Sequence, residues 1–285
     1  MRITAFLCHN YFVNANTNMN LWLFRWPGWT VSFIALALGA LLLSCQTVPI
    51  TGRQQLDLIS SQEEIKMGDA AYGNVLKKST LSHDATGAEM VRRVGQRIAA
   101  AADRPDYHWE FNLVEEKTPN AFCLPGGKVV VYTGILKYTQ DENGLAVVLG
   151  HETAHALAHH GAERLSQQMM TQIAAESAAI VLGKGDPQTM KSIEQAFGIG
   201  AEYGVLLPFN REHESEADHI GLYLMAEAGY DPRGAVEFWK RMMKAGGGKP
   251  PEFLSTHPSD EHRVRQIENW LPEVVPVYEK HKAAP

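Results

Sequence analysis

The segment VVLGHETAHALAHH, Val147 to His160, constrains this chain more than any other stretch. Its Val, Leu and Ala content is that of a helix buried on all sides, yet it also carries His151, Glu152, His155, His159 and His160. Imidazoles and a carboxylate are costly to bury unless a partner satisfies them. On a helix, positions i and i+4 share a face, so His151 and His155 can aim two ring nitrogens at one point with Glu152 beside them. Neutral imidazole nitrogen is a good zinc donor, and two donors fixed on one helix lose little freedom on binding. Zinc brings the pKa of water toward neutrality, and a glutamate so placed can take the proton. The spacing predicts a metal site with hydrolytic chemistry.

A catalytic zinc site takes three protein ligands and keeps one position open. The same helix does not supply the third. An HExxHxxGxxH pattern needs glycine at 158, where Ala158 stands, and His159 lies too far along the axis from a metal held by the first two. His159 and His160 read as polar residues near the end of the buried part of the helix. Downstream, NREHESEADHIGLYLMAEAGYDP places Glu214 and Asp218 four apart, with Ala217 and Gly221 small enough for close approach to another helix. Glu214 can be the carboxylate ligand, and Asp218 can accept the other N–H of a liganding histidine. The residues alone leave a second reading equally open, in which Glu212, Glu214, Glu216 and Asp218 form a solvated acidic face.

Around this centre the pattern is that of an α+β fold, mostly helical, with a small β-sheet or hairpin beside the His-rich helix. Helices are expected in SQEEIKMGDAAYGNVLKK, opened by Ser61, and in GAEMVRRVGQRIAAAA, where Met90, Val94 and Ile98 share a face. Strands are expected in YHWEFNLVEE, NAFCL and KVVVYTGIL, the last two joined by a turn at Pro125 to Gly127. Helix resumes from about Asp141 through Met170 and on into QIAAESAAIVLG, with 184–195 as a surface connection. The formal net charge of −6 provides no basic stripe for phosphates, so nucleic acid is excluded as an expected partner.

Residues 1–44 differ in kind. Arg2 and Arg25 are their only charges, and TVSFIALALGALLLS, Thr30 to Ser44, is apolar but short for a membrane-spanning helix. The stretch ends in LLSC, Leu42 to Cys45, which resembles a bacterial lipobox. Residues 1–44 are then a lipoprotein signal peptide, with Met19 as an alternative start, and Cys45 is the acylated N-terminus of a tether over 45–60. An uncleaved N-terminal anchor is the alternative. By the resemblance to bacterial lipoproteins, Gln46 after the cysteine, rather than Asp, implies export to the outer membrane where the organism has one. Cys8 would be lost and Cys45 lipidated, leaving Cys123 without a disulfide partner.

HETAH on one helix, ESEAD on a second and STHPSDEHR near the end together resemble the gluzincin metallopeptidases that include the Ste-type CAAX protease, HtpX and mitochondrial Oma. PITGRQQL after a lipobox and PNAFCLPGGKVVVYTGIL before the helix look most like the small bacterial lipoprotein members of the LoiP and BepA kind. The resemblance covers nearly all of 45–285. It implies a zinc metallopeptidase domain over 61–275, a C-terminal tail over 276–285, and one Zn2+ held by His151, His155 and Glu214. Glu152 is implied as general base and Asp218 as supporting carboxylate. His257 is implied to reach the metal and hold the enzyme off, or to assist the transition state, and Arg263 to pair with a site carboxylate or steady the oxyanion. Asn120, Ala121, Phe122 and Cys123 are implied as an edge strand along which a peptide substrate adds. Cys123 stands where relatives carry a small non-thiol residue and reads as packing.

The expected function is therefore a lipid-anchored, zinc-dependent endopeptidase on the periplasmic face of the outer membrane. Its expected substrates are unfolded or misassembled envelope proteins, with outer-membrane assembly machinery as a possible partner. The rival expectation is a zinc-containing chaperone or assembly lipoprotein with little proteolysis. A third, a solute-binding lipoprotein with accidental histidines, predicts no stoichiometric metal.

Overall fold

The computed structural model describes residues 45–181, 210–245, 252–257 and 261–282, all within the unit Ser44–Pro285. The segment before Cys45 that reads as a signal peptide, the expected connection at 184–195 and Pro258 to Asp260 lie outside the described residues.

The stretch read as a loose tether is folded. Strand β1 (Cys45–Thr47) pairs antiparallel with β2 (Gln54–Leu56), and the turn is closed by the Val48 N–H on the Arg53 carbonyl at 2.8 Å. Three-residue strands carry too little alternation to be read from sequence. Helix α1 (Ser61–Lys78) starts one residue earlier than Ser61 as cap would give. Ser60 Oγ accepts the Glu63 N–H at 3.3 Å while the Glu63 carboxylate accepts the Ser60 N–H, a reciprocal capping box. Helix α2 (Ala85–Ala102) is capped by Asp84, whose Oδ1 accepts the Gly87 N–H at 3.0 Å, and turns Val91, Val94 and Ile98 into the core.

Three strands follow: β3 (Glu110–Val114), β4 (Ala121–Leu124) and β5 (Lys128–Tyr132), in sheet order β3-β5-β4. β5 pairs parallel with β3, Leu113 opposite Val131, and antiparallel with β4, Phe122 opposite Val130. The expected hairpin at Pro125 to Gly127 is present, with Gly126 at φ 83° and Gly127 at φ 81°, where a residue with Cβ is disfavoured. Helix α3 (Thr133–Thr139) then leads to α4 (Glu142–Leu157), whose cap Asp141 accepts the Gly144 N–H at 2.8 Å.

The single helix expected from Asp141 through Met170 is two. α4 ends at Leu157, His159 adopts the left-handed φ of 52°, and α5 (His160–Val181) sets off from His160. His159 Nδ1 pairs with Glu64 of α1, a long-range contact that no local pattern reveals. The remaining elements are α6 (Arg211–Glu227), capped by Asn210, α7 (Gly234–Ala245), α8 (Glu252–Thr256) and α9 (Glu261–His281). α9 continues through the first part of the segment read as tail, with Val274 fully buried before it. No helix among the described residues is long and apolar enough to cross a membrane.

α4 is the central element, buried on every face from Gly144 to Leu157. Val129 and Val131 of the sheet, Leu222 and Met225 of α6, Phe238 and Trp239 of α7, Phe253 of α8 and Ile267 of α9 join its Leu145, Val148 and Leu149 in one apolar core. Burying each such side chain contributes roughly 1.5–3 kcal/mol. α4 and α6 approach most closely at two glycines. A Cβ added to Gly150 would stand 2.8 Å from the Gly221 carbonyl oxygen, and one added to Gly221 would stand 2.9 Å from the His151 nitrogen. That approach brings the face carrying Glu214 and Asp218 against the face carrying His151 and His155.

Candidate metal centre

His151, His155, Glu214 and His257 each direct a donor atom to one place, all within 4.8 Å of one another and all buried. The helical spacing brings the first two together as expected, with His151 Nε2 and His155 Nε2 3.1 Å apart. Glu214, on α6, lies with its carboxylate oxygens 3.4 Å from each of those nitrogens. His257, just past α8, adds Nδ1 at 2.9 Å from Glu214 Oε1 and 3.2 Å from His151 Nε2. The solvated-face reading of 212–218 does not hold for Glu214, Glu216 and Asp218, which are 3–6% exposed.

Asp218 takes the position expected of a supporting carboxylate. Its Oδ1 lies 3.0 Å from His151 Nδ1, and a carboxylate there can only accept. His151 Nδ1 must carry the proton, so its Nε2 turns a lone pair toward His155. Two imidazole lone pairs facing at 3.1 Å call for a cation or proton between them. Two imidazoles, a carboxylate and a third imidazole in one buried pocket form a nitrogen and oxygen set suited to zinc. The residues fit the metal.

Arg263 of α9 ties the carboxylates together. Its Nε and Nη2 donate to Asp218 Oδ2 and Oδ1 at 2.6 and 2.8 Å, and Nη1 lies 2.9 Å from Glu214 Oε2. Its guanidinium stacks on Trp239 with Cζ 3.5 Å from the ring centroid, a cation–π contact. Burial would raise the Glu214 carboxyl, but His257, Arg263 and His151 together hold it well below the usual carboxylate range. Of the two pairings the sequence left open for Arg263, the carboxylate one is made.

Glu152 sits beside the donor set. Its Oε1 is buried without a hydrogen bond, 3.4 Å from His257 Nε2. Burial, and next to it the charge of Glu214, push its carboxyl up to about 7 against the lowering pull of His257 and Arg263. A divalent cation close by would lower it again. A carboxylate placed beside the donors can take a proton and return it.

Asn120 to Cys123 flank and form β4, an edge strand with β5 on one side and, among the described residues, no strand on the other. The Pro119 carbonyl, just before it, accepts the Phe253 N–H of α8 at 3.1 Å. Cys123 Sγ lies 3.6 Å from the Leu124 carbonyl, and burial pushes its thiol pKa far up. Its half-buried side chain packs against the apolar core.

Sequence reasoning missed a second polar cluster behind His155. His160, read as marking the end of the buried part, is fully buried. Its Nδ1 lies 2.8 Å from His155 Nδ1 and its Nε2 2.9 Å from Glu216 Oε2. Arg53 of the N-terminal hairpin donates Nε to Glu216 at 2.8 Å and binds Glu163 through Nη1 and Nη2 at 2.9 and 2.7 Å. Glu163 also meets His213 Nε2 at 3.0 Å. Desolvation opposes ionisation of Glu163, yet the hydrogen bonds from His213 and Arg53 bring its pKa down to about 2. His160 and Glu216 stood inside motifs already singled out, but no spacing relates residue 53 to 163 or 216.

The sequence profile of Peptidase family M48 matches residues 86–271. Mitochondrial metalloendopeptidase OMA1 of Schizosaccharomyces pombe is 41% identical over 232 residues, taking in 79% of this chain and 66% of that protein. Its namesake in Saccharomyces cerevisiae is 30% identical over 272 residues, 87% of this chain and 76% of the relative. The Beta-barrel assembly-enhancing protease of Escherichia coli is 27% identical over 240 residues, 82% of this chain and 49% of the relative. The chain thus spans about two thirds to three quarters of the yeast proteins and about half of the bacterial one.

Proposed function

The chain belongs to peptidase family M48, and from that premise we infer that it is a zinc-dependent endopeptidase whose metal is held by His151, His155 and Glu214. The observation that carries the reading is the meeting of two helices' donors at one buried point beside a carboxylate with no hydrogen bond to Oε1. When bound, zinc polarises the scissile carbonyl and makes water acidic enough to deprotonate near neutral pH. Glu152 takes that proton as the water attacks and returns it to the leaving amine nitrogen. Asp218 holds the His151 ring in its tautomer, and Arg263 fixes both site carboxylates in place. An extended substrate adds along β4 through its main chain, with Asn120 to Cys123 as the docking edge.

His257 defines a resting state. With its imidazole among the donors, the set has four members, whereas a catalytic zinc needs an open position. Of the two roles considered for His257, this geometry supports the inhibitory one. The same segment donates the Phe253 N–H to the Pro119 carbonyl at the start of the proposed substrate edge.

The LLSC sequence supports processing at Cys45 and lipid attachment in a bacterial envelope, in preference to the mitochondrial address in the names of the yeast relatives. The bacterial relative's name speaks of β-barrel assembly and of a protease, and we extend that to unfolded or misassembled envelope proteins as substrates and outer-membrane assembly as the setting. The four-donor resting state also favours a second reading, an assembly lipoprotein whose proteolysis is minor. Glu152→Gln separates the two. Under the protease reading the variant keeps one zinc per chain and loses cleavage of an unfolded protein such as casein; equal cleavage by parent and variant ends that reading.

A further inference from the structure

The cluster behind His155 has a direction built into it. Glu216 is surrounded by donors: Arg53 Nε at 2.8 Å, the Thr51 hydroxyl, and His160 Nε2 at 2.9 Å. A carboxylate so placed accepts from all three. His160 must then carry its proton on Nε2 and present Nδ1 as an acceptor. The atom that Nδ1 meets, at 2.8 Å, is His155 Nδ1, which must therefore be the N–H donor. His155 is left with its lone pair on Nε2, the atom that faces His151 and Glu214.

This contact exists because α4 stops where it does. Residues five apart on a continuous helix do not share a face, so an unbroken helix would carry the residue 160 side chain away from His155. The left-handed turn at His159 returns His160 to it. His160 is then locked by stacking on His213, ring centroids 4.3 Å apart and planes 18° apart, while Glu163 holds both His213 and Arg53. Arg53 and Thr51 belong to the N-terminal hairpin, so that hairpin forms one wall of the metal centre's support.

We propose that His160 is a positioning residue for the metal centre, which with Glu216 and the hairpin residue Arg53 fixes His155 in the tautomer and orientation that offer Nε2 to zinc. The proposal rests on the reading of His155 as a zinc ligand. On the other flank His151 obtains the same service from Asp218 directly; here a second imidazole stands between ligand and carboxylate.

The test uses the full chain and compares His160→Asn, His160→Gln, His160→Ala and Glu216→Gln with the parent. Zinc affinity is read by competition with a chromophoric chelator, the ligand field by the visible absorption of the cobalt-substituted protein, and fold integrity by melting of the metal-free protein. Asparagine can place an oxygen where Nδ1 stands and still accept from His155, whereas glutamine reaches the Nε2 position instead. His160→Ala and His160→Gln should lose zinc affinity about 10–100-fold, the range typical for partners of metal ligands, and shift the cobalt bands. His160→Asn should stay within about threefold of the parent. Glu216→Gln, nearly isosteric, can keep a carbonyl oxygen where Oε2 accepts from both His160 Nε2 and Arg53 Nε and turn its amide to the Thr51 hydroxyl, so as the conservative variant it should hold zinc affinity within about threefold of the parent. Equal zinc affinity and cobalt spectra in His160→Gln, His160→Ala and parent would overturn the proposal, even if the variants melt lower. So would His160→Asn losing as much affinity as His160→Ala. A parent without stoichiometric zinc would bring down the metal-site reading and this proposal together, while a zinc-loaded parent with indifferent variants would sink this proposal alone.

Discussion

Replacing Gly221 with alanine should damage the metal centre from a position that contributes no donor. The new Cβ would stand 2.9 Å from the His151 nitrogen, 3.0 Å from the Gly150 carbonyl carbon and 3.1 Å from His151 Cα. All three are main-chain atoms of α4, so no side chain can swing aside. Reaching an ordinary contact of 3.4 Å requires α6 to retreat by about 0.5 Å, or α4 to bend by as much. Overpacking of this kind costs roughly 1–3 kcal/mol, and in a domain of this size each kcal/mol lowers Tm by about 2–4 °C. The retreating helix carries Glu214 and Asp218, and the stationary one carries His151 and His155. A misplacement near 1 Å can cost about 100-fold in rate, so half of that should cost on the order of tenfold in cleavage, with a parallel loss of zinc affinity. Thermal unfolding, chelator competition and cleavage of an unfolded protein measure the three effects. Gly73→Ala is the control, since a Cβ there meets nothing within 4 Å and alanine is favoured in a helix by roughly 0.5–1 kcal/mol. A Gly221→Ala protein that melts, binds zinc and cleaves like the parent would refute the claim that helix approach sets the site.

Three further outcomes are expected. Asp218→Ala should lower zinc affinity about 10–100-fold and destabilise the metal-free protein by roughly 3–5 kcal/mol, because it strips the buried Arg263 of its two-point partner; chelator competition and denaturant melts report the two separately. His257→Ala should raise the cleavage rate while lowering zinc affinity, since it removes a fourth donor; a fall in kcat at full zinc loading would assign His257 to catalysis instead. The depressed pKa of Glu163, about 2, stabilises the fold above its unfolded value near 4.5, and that contribution is lost as pH falls toward 2. The Tm gap between parent and Glu163→Gln should therefore be full at pH 6 and close between about pH 4.5 and 2.

The catalytic face was legible because its chemistry is local. His151, Glu152 and His155 sit within five residues of an apolar helix, and Glu214 and Asp218 repeat the same i, i+4 logic. The β4–β5 hairpin was legible from its Pro-Gly-Gly turn. What escaped depended on contacts between distant residues. The break between α4 and α5 follows from a left-handed His159 held by Glu64, 95 residues away in sequence, where local composition favours continued helix. The N-terminal hairpin has strands of three residues, and what fastens it is Arg53 meeting Glu163 and Glu216. Charged side chains at 163, 213 and 216 carry no sign that they are buried together, and average behaviour places them at the surface. Asp218 was separated from a solvated run only by the coordinates of its partners, His151 and Arg263.

The four donors are between 1% and 4% exposed, and this closure governs how the ion gets in. Trp239 and Phe253 close on His151 among the described residues, with ring centroids 5.7 and 6.5 Å from its imidazole. Entry of an ion to donors so deeply buried should require a local opening of the elements around them. Exchange of a bound ion with solvent should then be slow and follow that opening, which the rate of chelator-driven release set against amide hydrogen exchange would measure.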